Sequence, residues 1–172
     1  MLTQTRQRVI VMIGWLGAGL ALGDLAGQQA PRITSGETSM HARGSFDVKV
    51  TPIPAADSAG GPIGHLVLAK QFHGELDGSS KGQMLGAQAE GVEGSGAYVA
   101  LELVTGTLNG KQGSFLLMHR GTMSRGANYK MDVSVVPESG TGDLAGITGT
   151  MTIIIEGKTH SYDLEYRLDG GT

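Results

Sequence analysis

The stretch YVALELVTGTLNGKQGSFLLMH, residues 98–119, decides the fold. Two apolar runs flank Asn109-Gly110, the dipeptide of a two-residue hairpin turn. With that turn, Leu108 pairs with Lys111, Glu102 with Leu117 and Ala100 with His119. Side chains alternate across a strand. Tyr98, Ala100, Glu102, Phe115, Leu117 and His119 therefore share one face. Glu102 and His119 become diagonal neighbours, roughly 7–8 Å apart at Cα. A slip of one residue would send one of them to the opposite face.

The same alternation extends in both directions. Strands are expected near 45–51, 65–72, 81–90, 97–105, 114–122, 129–136, 151–156 and 159–168, eight in all. Pro52, Pro54 and Pro62 make the first connection a loop. A short pattern, Gly-x-Leu-x-Gly, recurs at Gly74–Gly78, Gly106–Gly110 and Gly142–Gly146, with starts 32 and 36 residues apart. Each copy lies between strand candidates, as in a meander of hairpins. The leucines would plug a barrel end while the glycines take positive φ. An even, up-and-down strand count favours closure, which removes exposed edges. Gly157-Lys158 reads as the last turn, which puts His160 and Tyr162 on one face with Met151, Ile153 and Ile155.

Composition agrees. Glycine is abundant, 29 of 172 residues, and hydrophobic residues make up 40% against 17% charged. Helices avoid glycine, whereas short strands joined by tight turns need it. The net charge is −3 with no basic block, so nucleic acid is not an expected partner. With no cysteine, disulfides, iron–sulfur ligation, thiol catalysis and a lipobox anchor are excluded.

The first residues follow another logic. Arg6 and Arg8 precede an apolar run from Val9 to Leu22, then small residues at Gly23, Ala26 and Gly27. This is the order of a secretory signal peptide. The run has 14 residues, short of the roughly 20 that span a bilayer. The expected organisation is a signal-peptide helix over residues 1–27, a linker over 28–40 and one all-β barrel over 41–172. The mature chain would be secreted or periplasmic, with no stable membrane span after cleavage.

Motifs with a chemical look fail on context. Gly157-Lys158-Thr159 lacks the first glycine of a phosphate loop, because Thr152 stands there. Gly140-x-Gly142 has no strand immediately before it and no helix after it. His41, His65, His73, His119 and His160 show no ligand spacing, so no metal and no cofactor are expected. No serine sits in a nucleophile elbow.

The polar residues on the apolar faces remain. Leu66, Leu68, Lys70 and Phe72 form one face with a single charge in it. If these faces point inward, the lumen is apolar with a few polar groups, the usual character of a ligand site. The candidate catalytic residues are Glu102 and His119. The candidate substrate-binding residues are Lys70, Phe72, Tyr98, Phe115, His160 and Tyr162. A satisfied structural role competes for each, since buried polar groups usually have partners. Val99, Leu101 and Leu103 make the opposite face of their strand apolar too, which suits a subunit interface.

Several stretches together resemble a bacterial family of uncharacterised function whose barrels are similar to allene oxide cyclase. They are Gly44–Val48, Lys70–Gly78, Gly96–Glu102, Gly106–Phe115, His119–Gly121, Val135–Gly146 and His160–Tyr162. The resemblance covers about residues 41–168. It implies an eight-stranded antiparallel barrel and a homo-oligomer, and it carries over no catalytic residues.

Three functions compete. The first is a cofactor-free isomerase or cyclase of a hydrophobic substrate. In it Glu102 is general base or cation stabiliser, His119 its proton partner, and Tyr98 or Tyr162 a donor to an oxyanion. The second is a non-catalytic carrier of a small hydrophobic molecule outside the cytoplasm. The third is a structural or interaction barrel whose lumen is filled by side chains.

Overall fold

The structure, a computed structural model, describes residues 39–54 and 62–169. The expected leader, and all of the linker before Ser39, lie outside those residues. The elements are β1 (Met40–Ile53), β2 (Ile63–Gly74), β3 (Leu76–Gln88), β4 (Gly96–Leu108), β5 (Lys111–Ser124), β6 (Ala127–Val135), β7 (Thr141–Gly142), β8 (Ile147–Glu156) and β9 (Thr159–Leu168). Eight of them close an all-antiparallel barrel in the order β1-β2-β3-β4-β5-β6-β8-β9, with β9 returning to β1. The two-residue β7 lies against β5.

The decisive hairpin has the expected register. Leu108 pairs with Lys111, Glu102 with Leu117 and Ala100 with His119. Asn109 and Gly110 both take positive φ, 47° and 82°, as such a two-residue turn demands. The last hairpin also follows the expectation, with Ile155 opposite His160 and Ile153 opposite Tyr162. The face carrying Ala100, Glu102, Val104, Phe115, Leu117 and His119 is the buried, inward one.

Two local expectations change. β3 begins at Leu76, ahead of the expected Lys81, so Leu-Asp-Gly-Ser-Ser is strand and not turn. Moreover, Gly78 and Gly106 do not need positive φ. They face each other across the β3–β4 ladder, and a Cβ on either would stand 2.3 Å from a backbone oxygen of the other strand. Close approach of two backbones is their reason for being glycine.

The core fills one end of the barrel. Leu76, Leu108 and Leu144, one from each repeat, are buried there together with Ile147 and Tyr166. The Asn109 amide donates to the Tyr166 hydroxyl at 2.9 Å and ties this end shut. The Tyr162 hydroxyl accepts from the Leu76 amide at 2.9 Å and points back at the Leu76 and His73 carbonyls, which anchors the β2–β3 turn.

The wall is weakest between β6 and β8. Among the described residues, Ser134 opposite Thr150 is the one paired position there. Beyond it the strands splay around a groove of about 640 Å³ lined by Met131, Met151 and Ile153, among others. Unpaired edge amides have no ladder partner to protect them. Hydrogen exchange should therefore be fast at the seam-facing amides of residues 128–133 and 151–155. It should be slow throughout the β3–β4–β5 ladder. Equal protection on both sides of the seam would show that the wall is closed in solution.

Candidate functional site

Four strands place the charged cluster. Lys70 projects inward from β2, Ser80 from β3 and Glu102 from β4, and His119 joins them from β5. Register brings them to adjacent rungs, with Lys70 opposite Ser80, Gly82 opposite Glu102 and Ala100 opposite His119. Gly82 makes the room, because a Cβ there would stand 3.1 Å from that of Glu102.

The cluster is dry. Glu102 is 0% exposed, His119 3% and Lys70 6%. The Lys70 ammonium donates to Glu102 Oε2 at 2.8 Å, and the Ser80 hydroxyl donates to Oε1. Lys70 Nζ also lies 4.9 Å from the centre of the Phe46 ring and 5.6 Å from that of Phe72. His119 Nε2 stands 2.8 Å from Oε2. Yet among the described residues Nε2 finds no well-formed hydrogen bond. It is a buried polar atom in close contact with a carboxylate and not fully satisfied by it.

The electrostatics follow from this packing. Burial alone would raise the Glu102 carboxyl. Contact with His119, the charge and hydrogen bond of Lys70 and the Ser80 hydroxyl outweigh it and hold the carboxyl at about 2. Burial pulls Lys70 below the usual lysine range in spite of Glu102. Tyr98 is pushed up, by burial first and then by Tyr129 and Glu102, so it stays a neutral donor.

Above the cluster the barrel opens. An apolar mouth of about 250 Å³ is lined by Leu66, Met84, Tyr98, Gly121, Met123 and Tyr129, among others. The ring of Tyr98 packs against Gly121, where a Cβ would come within 2.3 Å of it. Met84 is the lining residue nearest the cluster in register. It pairs with Ala100, which pairs with His119, so the His119 rung lies immediately beneath the mouth.

The structure thus brings Glu102, His119 and Lys70 into one contact group and sets Tyr98 at the rim above them. Phe72 and Phe115 are fully buried in the core, and the Tyr162 hydroxyl is committed to the β2–β3 turn. His160 stacks on Phe46 with ring centres 5.3 Å apart. Ser80 and the mouth residues Leu66, Met84 and Gly121 complete the site. Among the described residues, no group of three or more His, Asp or Glu side chains could hold a metal ion.

Known proteins agree with this architecture. The profile of a family described as "Protein of unknown function (DUF3224)" matches residues 42–166. A solved structure of a protein of unknown function from that family, from Shewanella oneidensis MR-1, superposes with a TM-score of 0.71 at 42% identity. The match covers 78% of this chain and 100% of that one. No curated protein matches the chain.

The cluster predicts an acid limb in stability. A carboxyl held below its unfolded value contributes stability that is present above that value and is lost as pH falls toward the folded one. For Glu102 the window runs from about 4.5 down to about 2. Thermal melts followed by circular dichroism should show Tm falling across this window, and Glu102→Gln should flatten that limb. At pH 7, Lys70→Met should cost about 3–5 kcal/mol, because it leaves a buried carboxylate without its cation. An unchanged melting profile in either variant would mean that the cluster is hydrated in solution.

Proposed function

The chain belongs to the DUF3224 family of proteins of unknown function, so its role has to be read from the chemistry of its own barrel, and we propose that this barrel binds a small apolar molecule. The ligand enters the mouth and rests above the Lys70–Glu102–His119 layer. One observation carries the reading: an ionised carboxylate with a lysine and a histidine lies buried directly under an apolar opening. Such a layer does little for stability. Replacing a buried ion pair by apolar residues of similar volume is often neutral or gains about 1–4 kcal/mol. A barrel selected only to be stable has no use for it.

The parts divide the work. Leu66, Met84 and the Tyr98 ring supply apolar contact. The Tyr98 hydroxyl donates to an oxygen on the ligand. Glu102 holds Lys70 and His119 in place. At about 250 Å³ the mouth falls just below the usual span of ligand sites, roughly 300 to 1,000 Å³, which suits a small ligand. The leader pattern of residues 1–27 supports a place outside the cytoplasm, secreted or periplasmic. No cofactor is needed for this role.

The second reading is a cofactor-free isomerase, favoured by the incompletely satisfied Nε2 of His119. Here His119 transfers the proton and Glu102 stabilises the imidazolium that results. Glu102 itself is a poor general base, because a carboxyl held at about 2 has little proton affinity at neutral pH.

Native mass spectrometry of the protein purified from its own host tests both. A bound mass released by organic solvent is expected, and Leu66→Trp, which fills the mouth, should abolish it. Glu102→Gln should weaken rebinding about tenfold, the loss of ~1.4 kcal/mol. Ligand recovered unchanged after incubation supports the carrier. Conversion that disappears in His119→Gln supports the isomerase. A clean apo mass at every charge state would overturn both.

A further inference from the structure

The outside of the barrel is not uniform. β1 turns Arg43, Asp47 and Lys49 outward, and β9 turns Asp163, Glu165 and Arg167 outward. The outer face of β3, β4 and β5 is different. Its rungs read Leu85–Val99–Arg120, Gln83–Leu101–Met118 and Lys81–Leu103–Leu116. Leu85, Val99, Leu101, Leu103 and Met118 are between 47% and 55% exposed. Five large apolar side chains in register form one continuous patch. Single exposed hydrophobic residues are ordinary, but a contiguous patch marks an interaction site.

We infer that this face packs against the same face of a second copy of the chain. The area is right for it. These five side chains offer about 500 Å² of apolar surface per copy, so two copies would bury roughly 1,000 Å² from them alone, the threshold for a specific interface. Leu116, Gln83 and Lys81 extend the footprint beyond that.

The pattern is also self-complementary. A two-fold pairing places the same patch on both partners. A two-fold axis lying in the interface over Leu101 can run along the strands or across them. In both cases Lys81 and Arg120 meet leucines of the second copy and not each other. Their aliphatic stems cover apolar surface while their charged ends reach solvent. Arg120 is already neutralised by Asp132 at 2.7 Å. The patch therefore has no ring of free cations to hold an anionic lipid surface.

The pairing leaves the mouth free, because the mouth opens at the barrel end and the patch lies on its side. Self-association and ligand binding are thus separate properties and fail separately.

Sedimentation velocity on the full chain at micromolar concentration, with and without phosphatidylcholine vesicles, tests the inference. The wild type should sediment as a dimer or a larger closed assembly and ignore the vesicles. Leu101→Glu should be monomeric with an unchanged far-ultraviolet spectrum, its dissociation constant raised about a hundredfold or more. Met118→Lys makes the same test from β5, should Leu101→Glu fail to fold. Ile154→Glu, on the outside of β8, should leave the assembly intact. A monomeric wild type, an assembly that survives both patch variants, or co-sedimentation with vesicles that the patch variants abolish would each overturn it.

Discussion

A carboxylate buried in an apolar barrel has to be compensated from its surroundings, and much of this structure is arranged around that requirement. Removing Glu102 from water carries a large desolvation cost, and the group remains ionised only because donors surround it. The donors are Lys70 on β2 and Ser80 on β3, and His119 on β5 stands in close contact with the same carboxylate. The register of four strands must hold simultaneously. A slip at any one of them would turn its contribution outward and leave a charge unpaired in the core.

The two ends of the barrel divide structure from recognition. One end is closed by the three repeat leucines, Ile147 and Tyr166, and its polar groups are consumed by turns: Asn109 binds Tyr166, and Tyr162 holds the β2–β3 corner. Among the described residues, the other end has no such plug. There the glycines at 86 and 121 thin the wall and the Tyr98 ring lies over the opening. The charged layer separates the two halves, close enough to the mouth to influence what enters it. The seam between β6 and β8 opens on this same half, so the firmly packed end supports the looser one.

Much of this was legible in the chain itself. Asn109-Gly110 sets a two-residue turn, and that turn sets the pairing of Glu102 and His119 without further information. Alternation then puts both on one face with Tyr98. Lys70 could be seen as a single charge on an apolar face. Ser80 could not, because Gly78-Ser79-Ser80 has the composition of a turn. The strand runs through it only because Gly78 meets Gly106 across the ladder, and that fact belongs to the pair and to neither strand alone. The mouth was hidden for a similar reason. Leu66, Met84 and Gly121 are ordinary strand residues until closure brings their rungs around one opening.

The sequence by itself determined the barrel's strand count, the registers of the hairpins turned at Asn109-Gly110 and Gly157-Lys158, and the amphipathic faces, because each depends on neighbours along the chain and on a period of two. Only the tertiary structure decided which of two apolar faces points inward. Val99, Leu101 and Leu103 are as hydrophobic as the residues opposite them, so alternation cannot choose. The choice is made by polar satisfaction. Glu102 finds Lys70 and Ser80 on the inside, 32 and 22 residues away along the chain, and the apolar row is left on the outside. Closure of the barrel, a long-range constraint, turned a row of separate residues into a buried charged layer.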